Sequence, residues 1–388
     1  MANADNLFHD LREKYGFPDG KFVKEWKFEI LGRHSVFQSV SQASVPEDYD
    51  GHRPRDVILL RIHGAKTSAL AELNNERSIL EMLNRHPKAS SHILIPLETF
   101  WIDGPSDRHL CWVLELLGPD IQFMADVCGP EDNLYPAAMV WKLTKQALES
   151  LSFLHSKDVC HGYLQRMSLV LTHPFLDASN RDEVMRFYGQ PGIFNGIENL
   201  YETCTDKEEA PDRLDFRLKL THLFNAFPIS EGENRNQAPK FIRYNAPPPE
   251  LLFGHFIQPP VDAWDLAILL TDIVAGEYEF NTRLCGSKGK ALEKLCYTRR
   301  FLGQLPLKYL KRLPHGQQTI TEFDQNTLYT AIIKNPFEGE KQVFADEEYE
   351  LLVKLLKKML AYDSRERYTA DQALRDKFFM VERPANEA

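Results

Sequence analysis

Residues 161–171 decide how the rest of this chain is interpreted, and they read His161-Gly162-Tyr163-Leu164-Gln165-Arg166-Met167-Ser168-Leu169-Val170-Leu171. The polar part of this stretch ends in the apolar run Leu169–Leu171, which predicts a short buried strand directly after a loop. The stretch contains neither an aspartate nor an asparagine. It therefore contains no side-chain carboxylate, the oxygen ligand that hard metal ions prefer.

Composition limits the possible functions. The chain has 388 residues, 43% of them hydrophobic, which is enough for one large two-lobed unit or for two to three average domains. Its net charge of −10 argues against a nucleic-acid backbone as the main partner and suits basic peptides better. The longest apolar run, Leu266–Ala275, is too short to span a bilayer, so no membrane association is expected.

The cysteines and the N-terminal residues predict the cellular compartment. The six cysteines form no pair with metal-binding spacing. Met1–Gly16 carries charges throughout and lacks the pattern of a signal peptide. We therefore expect reduced thiols in an intracellular protein, cytoplasmic and/or nuclear.

Hydrophobic periodicity predicts a β-rich first part. Trp26–Ser41 alternates and predicts a hairpin around Gly32, and Asp56–Ile62 predicts a buried strand. Thr67–Asn84 has the period of a helix, and residues 93–102 and 109–116 predict two further strands.

After Gly118 the pattern becomes helical, beginning with a long amphipathic helix over Tyr135–His155. We predict an α+β fold of two lobes, with a small β-rich lobe at 25–118 and a mainly helical lobe at 119–380. The remaining residues form an N-terminal arm (1–24) and a C-terminal tail (381–388).

Several stretches together resemble eukaryotic protein kinases, and within them the SR-protein kinases, which phosphorylate serine/arginine-rich splicing factors. Residues 109–118 resemble the hinge strand of that family, and residues 222–226 resemble its D-L-G-N-A motif. The segment 172–215 lies where that family carries an insertion, and 303–344 resembles an insert shared with MAP kinases and cyclin-dependent kinases. The resemblance implies the bilobal protein-kinase-like fold.

The chain departs from the kinases at the positions that carry their chemistry. In the kinase pattern H-R-D-L-x-x-x-N, the base falls on Tyr163, the metal-binding Asn falls on Ser168, and Gln165 lies between them. The second metal-binding aspartate is replaced by His222. The resemblance therefore predicts no intact catalytic residue and no metal site.

The predicted nucleotide-binding positions are only partly kept. Of the glycine-rich loop only Gly32 remains, which leaves both a phosphate clamp and an ordinary hairpin turn with Gly32 at its bend open. Arg61 stands at the position of the kinase strand lysine, and Glu76 stands at that of the helix glutamate. We favour a bidentate internal pair between them over a surface pair.

The adenine pocket of a kinase depends on backbone groups and apolar walls. The resemblance places Leu114, Glu115 and Leu117 in the hinge and Leu169 on the floor of the pocket. It implies that ATP can still bind, weakly and without magnesium. Among scaffold positions, Glu250 and Arg367 match a pair that kinases form in the helical lobe.

Three functions remain open at this point. The leading hypothesis is a pseudokinase that acts as a binding scaffold or regulator, with protein partners such as basic or Arg/Ser-rich peptides. The second is a divergent but active ATP-dependent Ser/Thr protein kinase, in which Asp177, Asp182 or Glu183 supplies a displaced carboxylate. The third is a metal-independent nucleotide sensor.

Overall fold

The structure is a computed structural model and describes residues 22–23, 26–35, 38–44, 57–62, 76–103, 108–115, 117–118, 120–121, 137–172, 216–230, 247–253, 257–275, 295, 298–299, 302–313, 344 and 346–381. The chain divides into two compact units. The first comprises Met1–Asp120 and Val170–Phe224, and the second comprises Ile121–Leu169 and Asn225–Ala388.

The first unit is built on a six-stranded antiparallel sheet with strand order β1-β2-β3-β4-β6-β5. Its strands are β1 (Phe22–Val23), β2 (Trp26–Ser35), β3 (Gln38–Ser44), β4 (Val57–Ile62), β5 (Glu98–Asp103) and β6 (Arg108–Leu114). The apolar run of β4 forms an interior strand, hydrogen-bonded to β3 on one side and to β6 on the other. This placement confirms the strand predicted there.

Among the described residues of this unit, two helices accompany the sheet, α1 (Glu76–Asn84) and α2 (Ala89–His92). Helix α1 buries Ile79, Leu80 and Leu83, which are three and four residues apart and so share one face. The His86 N–H bonds to the Leu83 carbonyl just after the helix ends, close to the predicted stop. The predicted first part of this helix, residues 67–75, lies outside the described residues.

Four shorter strands follow, β7 (Val159–Cys160), β8 (Leu169–Thr172), β9 (Arg217–Leu220) and β10 (Phe227–Pro228), and they pair as β8 with β9 and β7 with β10. Backbone hydrogen bonds connect β8 and β9 to other parts of the first unit. Leu94 N–H donates to the Leu220 carbonyl and Gly118 N–H to the Leu171 carbonyl, both at 2.8 Å. The predicted lobes placed this segment with residues 119–380, and that division remains a prediction.

The second unit is mainly helical, with α3 (Ala137–Ser156), α4 (Pro249–Phe253), α5 (Pro260–Ala275), α6 (Leu307–Leu310), α7 (Asp346–Met359) and α8 (Ala370–Leu374). Helix α3 packs against α5 and α8. The amphipathic character predicted for α3 is seen in five buried apolar residues at helical spacing: Met139, Leu143, Ala147, Leu151 and Leu154. None of the helices in the described ranges is long and apolar enough to cross a membrane.

The structure mixes helix and strand, as the predicted α+β class requires, but it corrects two details. Gly32 does not form the hairpin turn: the β2–β3 ladder continues to Ser35 opposite Gln38, and Gly32 lies at a register shift inside β2. The strand predicted from Ile93 begins only at Glu98, because Ile93 follows α2 and makes a single parallel bridge to Leu220.

Several predicted segments fall outside what the structure describes. They are the insertion at 172–215 except its first residue, the N-terminal arm except 22–23, and the tail after 381. Most of the insert at 303–344 also lies outside, with only 303–313 and 344 described.

Candidate functional site

The first unit brings together Arg61, Glu76 and His222, which come from three separate elements. Arg61 lies in β4 opposite Trp112 of β6, and its guanidinium is 5.9 Å from the centre of the Trp112 ring. Its Nη2 bonds to Nε2 of His222 at 2.8 Å. Because β4 is hydrogen-bonded to a strand on each side, the backbone of Arg61 is held in place. Its side chain reaches His222 from that fixed position.

His222 holds this contact in an unusual backbone conformation. Its φ is 63°, in the left-handed region that residues other than glycine seldom adopt. An arginine can only donate hydrogen bonds, so Nε2 of His222 must be the acceptor and the imidazole is neutral in this contact. A neutral imidazole turned toward a guanidinium is a poor substitute for the carboxylate that magnesium prefers.

Glu76 of α1 is buried. Burial raises the pKa of Glu76 to about 7, although the charge of Arg61 and a hydrogen bond with the backbone of Leu223 oppose the shift. Because the folded-state pKa is the higher one, the cost of burying this charge is fully present above pH 7 and disappears as the pH falls toward 4.5.

The predicted bidentate pair of Arg61 and Glu76 is corrected by this geometry. Within the described part of the chain the two residues form no ion pair at contact distance, and they interact through their charges alone. The physical reason is that the Arg61 guanidinium is directed at the His222 ring instead. Burial lowers the pKa of Arg61, while the charge of Glu76 raises it.

The predicted hinge residues lie at the end of β6 and directly after it. Leu114 pairs with Leu59 of β4 and is fully buried, and Leu117 is also buried. The side chain of Glu115 forms a buried ion pair with Lys219 of β9. This pair links the hinge to the strand that leads into His222.

The second unit contains the loop at 161–168, and its polar side chains bond to one another. The Gln165 side-chain amide donates to the Tyr163 hydroxyl. The Gln165 N–H donates to Oγ of Ser168 at 3.2 Å, and the Ser168 N–H donates back to the Gln165 carbonyl at 2.8 Å. Tyr163 and Ser168 are buried, and Leu169 begins β8 as a buried residue. The polar groups of this loop therefore use one another as hydrogen-bond partners.

Asp262, near the start of α5, anchors this loop. Its Oδ2 accepts from the His161 N–H at 2.8 Å and its Oδ1 from the Gly162 N–H at 2.8 Å. His155 Nε2 and Cys160 Sγ also bond to Oδ2, at 2.9 and 3.2 Å. Burial raises the pKa of Asp262, but the hydrogen bond and charge of His155, together with His161 and Gly162, hold it below the usual value.

His155, Cys160 and Asp262 lie close enough together to hold a metal ion, with ligand atoms within 4.8 Å of one another. However, hydrogen bonds already use both oxygens of Asp262. Burial and the Asp262 charge also raise the pKa of Cys160 well above its usual value, so the sulfur is a thiol. The three side chains therefore form a hydrogen-bonded anchor for the loop at 161–168.

Glu250 of α4 and Arg367 form the buried pair that the sequence predicts. Arg367 Nη1 and Nη2 donate to the two carboxylate oxygens of Glu250, at 2.5 and 3.0 Å. Arg367 also donates from Nε to the Ala361 carbonyl and lies 4.8 Å from the centre of the Trp264 ring. Each of the three guanidinium nitrogens of Arg367 therefore donates a hydrogen bond.

Similarity to curated proteins covers most of the chain, although no protein-family model matches it. The serine/threonine-protein kinase AFC2 of Arabidopsis thaliana is 22% identical over 378 residues, which cover 93% of this chain and 80% of that protein. The serine/threonine-protein kinase SRPK of Physarum polycephalum is 24% identical over 326 residues, covering 77% and 74%. The dual specificity protein kinase CLK1 of Mus musculus is 25% identical over 319 residues, covering 79% of this chain and 56% of that protein.

These relatives support the protein kinase superfamily. They imply the bilobal kinase fold, and the structure described above contains both helices and strands. Against the kinase pattern, the degenerate positions divide between the two units: Arg61 and His222 lie in the first, and Tyr163, Gln165 and Ser168 lie in the second. Each of the five makes a hydrogen bond to another residue of the same set.

Two features of the kinase-like site were not identified from the sequence. The Lys219–Glu115 pair joins residues 104 apart, and no local pattern connects them. The multiple bonds of Asp262 were also missed, although this carboxylate stands near the start of the apolar stretch that forms α5. That position was the available signal, since a buried carboxylate near a helix start must find donors nearby.

Proposed function

We propose that this chain is a pseudokinase: a kinase-fold protein that binds partners and transfers no phosphate. The observation that carries the proposal is the contact between Arg61 and His222. One side chain replaces the kinase lysine and the other replaces a metal-binding aspartate, and they bond to each other. Neither is arranged as it would be around a magnesium-bound phosphate.

The loop of the second unit supports the same conclusion. A kinase places a carboxylate base and an amide ligand here, and such a base alone is worth about 10²–10⁴ in rate. In this chain Tyr163 and Ser168 carry hydroxyl groups, and both bond to Gln165. Two hydroxyl groups without a carboxylate do not fit magnesium, so we propose no metal-dependent step.

Nucleotide binding is compatible with the proposal, because the hinge uses backbone groups. Leu114, Glu115 and Leu117 would supply those groups, holding the adenine of ATP without a metal. We expect such binding to be weak.

The partner we propose is a protein with a basic or Arg/Ser-rich segment. The net charge of −10 favours such a segment and disfavours nucleic acid. An intracellular location, cytoplasmic and/or nuclear, fits the buried free thiols of Cys111 and Cys160.

A phosphate-transfer assay tests the proposal directly. The full chain is incubated with labelled ATP, magnesium or manganese, and an Arg/Ser-rich peptide, and label is counted on both the peptide and the chain. We expect no incorporation above the level of the variant Arg61→Ala, which controls for contaminating kinases. Incorporation by the wild type that disappears in Arg61→Ala would refute the pseudokinase and favour a divergent active Ser/Thr kinase.

A further inference from the structure

Leu307, at the start of α6 in the second unit, is one of the most exposed large apolar side chains among the described residues, with 68% of its surface accessible. Helical bonding continues past the end of α6, since the Lys311 N–H donates to the Leu307 carbonyl at 3.1 Å. Tyr309 and Leu313, four residues apart, are buried and form the inner side of this turn. Leu307 and Lys311, also four residues apart, share its outer side.

Three contacts hold this turn in place from its inner side and its edge. The Tyr309 ring stacks on the Phe253 ring of α4, with centroids 5.3 Å apart. Arg312 Nη1 donates to the Phe253 carbonyl at 2.8 Å, and Lys308 Nζ bonds to Asp363 at 2.6 Å. Because the turn is already ordered, a partner that binds to its outer side loses little affinity to ordering it.

The surroundings of Leu307 carry more positive than negative charge. Lys308 Nζ and Arg365 Nη2 both bond to Oδ2 of Asp363, at 2.6 and 2.8 Å, so one carboxylate serves two exposed cations. Within the described ranges the exposed Lys311 side chain has no partner at all. Residues 306–313 and 363–366 together hold four cations and two carboxylates, a charge of +2 in a chain whose total is −10: Lys308, Lys311, Arg312, Arg365, Asp363 and Glu366.

We propose that the face formed by Leu307, Lys308, Lys311 and Arg365 docks a short acidic segment of a partner protein. One apolar side chain of that segment packs on Leu307 and removes its exposed surface from water. Aspartates or glutamates beside the apolar side chain bond to Lys311 and to the two cations that share Asp363.

The charge distribution favours a short protein segment over a nucleic acid or an anionic membrane. A long polyanion or a broad anionic surface would also meet the negative charge that the rest of the chain carries. Charges beyond about 10 Å are largely screened at 0.1 M ionic strength, so a short segment experiences mainly the local charge of the face. The exposed leucine supplies an apolar contact that a phosphate backbone does not use.

This inference goes beyond the proposed function and does not depend on it. Phosphate transfer in the assay above would refute the pseudokinase but leave the contacts of Leu307 as they are. Absence of acidic-segment binding would leave the lack of phosphate transfer unchanged.

A labelled peptide with one central leucine between aspartates and glutamates is the probe. The full chain is titrated into it at about 0.1 M salt, and fluorescence anisotropy is recorded. We expect saturable binding that weakens several-fold at high salt, and binding about tenfold weaker for the same peptide with serine in place of leucine. No saturable binding, or equal binding of the two peptides, would overturn the proposal.

Two pairs of variants locate the binding face. Leu307→Ser should weaken binding about tenfold, whereas Met380→Ser should not change it, although Met380 is equally exposed at 68%. Lys311→Gln should weaken binding several-fold, and Lys377→Gln, which changes another exposed lysine, should leave it unchanged. All four positions are exposed, so each variant should melt with the wild type. Equal effects within either pair would contradict the assignment to this face.

Other occupants of the face give different results. Light scattering that shows a dimer of the wild type and a monomer of Leu307→Ser would assign the face to a second copy of this chain. Tighter binding of a labelled oligonucleotide or of phosphatidylserine vesicles than of the peptide, lost in Lys311→Gln, would assign it to a polyanion. Either result would overturn the acidic segment as the partner.

Discussion

Gly162 stands at a position in the loop at 161–168 that leaves no room for a side chain. Its φ is 73°, in the left-handed region that favours glycine. A Cβ atom there would lie 2.9 Å from the carbonyl oxygen of Asn225 and 2.9 Å from the Phe227 ring. Both the backbone angle and the close approach therefore exclude a side chain.

Replacing this glycine tests both causes. Gly162→Ala should lower the free energy of unfolding by about 2–4 kcal/mol, combining backbone strain with overpacking. Gly303→Ala is the matched control, because Gly303 has a φ of 83° but open space around its Cβ position. It should cost only the strain, about 1 kcal/mol. Urea unfolding measures both, and equal losses would refute the close approach at Gly162.

At the scale of single residues, the sequence predicted which residues belong to the site better than it predicted which residues they contact. It singled out Arg61, Glu76 and His222, because kinase motifs place each of them in a recognisable local pattern. It paired Arg61 with the wrong partner, because the direction of a long side chain depends on elements about 160 residues apart. The burial of Glu76 and the left-handed backbone of His222 leave no local signature.

At the scale of elements, the Glu250–Arg367 pair connects α4 with the segment between α7 and α8. Both side chains are essentially inaccessible, with exposures of 1% and 0%. Arg367 also donates to the carbonyl of Pro260 at the start of α5, so a third element depends on the same guanidinium. Removing either partner would leave an uncompensated buried charge.

We expect Arg367→Met to lower the free energy of unfolding by about 3–5 kcal/mol, because it strands the carboxylate of Glu250. The double variant Glu250→Leu with Arg367→Met should recover part of this loss, since no charge is then left buried. Arg375→Met is the control: its pair with Asp371 is exposed, so its loss should stay within about 1 kcal/mol. A double variant less stable than Arg367→Met alone would contradict this account.

Elements were predicted well where periodicity was strong and less well where short-range turns decided their ends. The long helix α3 was predicted to end at His155, within one residue of its end at Ser156 in the structure. The hairpin of β2 and β3 was predicted, but its turn was misplaced at Gly32 because glycine indicates turns and register shifts equally. The strand after Ile93 was predicted too early because apolar residues alone do not separate a bridge from a strand.

At the scale of the whole molecule, the net charge of −10 is the property that most directly bears on a partner. Charge steers association at long range, and salt screens it within about 10 Å at 0.1 M ionic strength. A basic segment should therefore bind in a salt-dependent way. The same reasoning predicts little binding of acidic peptides that lack an apolar anchor.

We expect an Arg/Ser-rich peptide to bind the full chain, and its dissociation constant to rise about tenfold between low and physiological salt. The same peptide with every arginine replaced by glutamine is the control and should not bind measurably. Fluorescence anisotropy of the labelled peptides gives both constants. Binding of the glutamine peptide with similar affinity, or binding that ignores salt, would remove the charge argument for this partner.

The bonds of Asp262 also set a limit on when this protein can finish folding. The amides of His161 and Gly162 find their acceptor 101 and 100 residues further along the chain. During synthesis on the ribosome the loop therefore remains without its anchor until α5 has left the exit tunnel. At about 5–20 residues per second, that delay lasts several seconds at least, an interval in which nascent-chain chaperones can bind the unfinished unit.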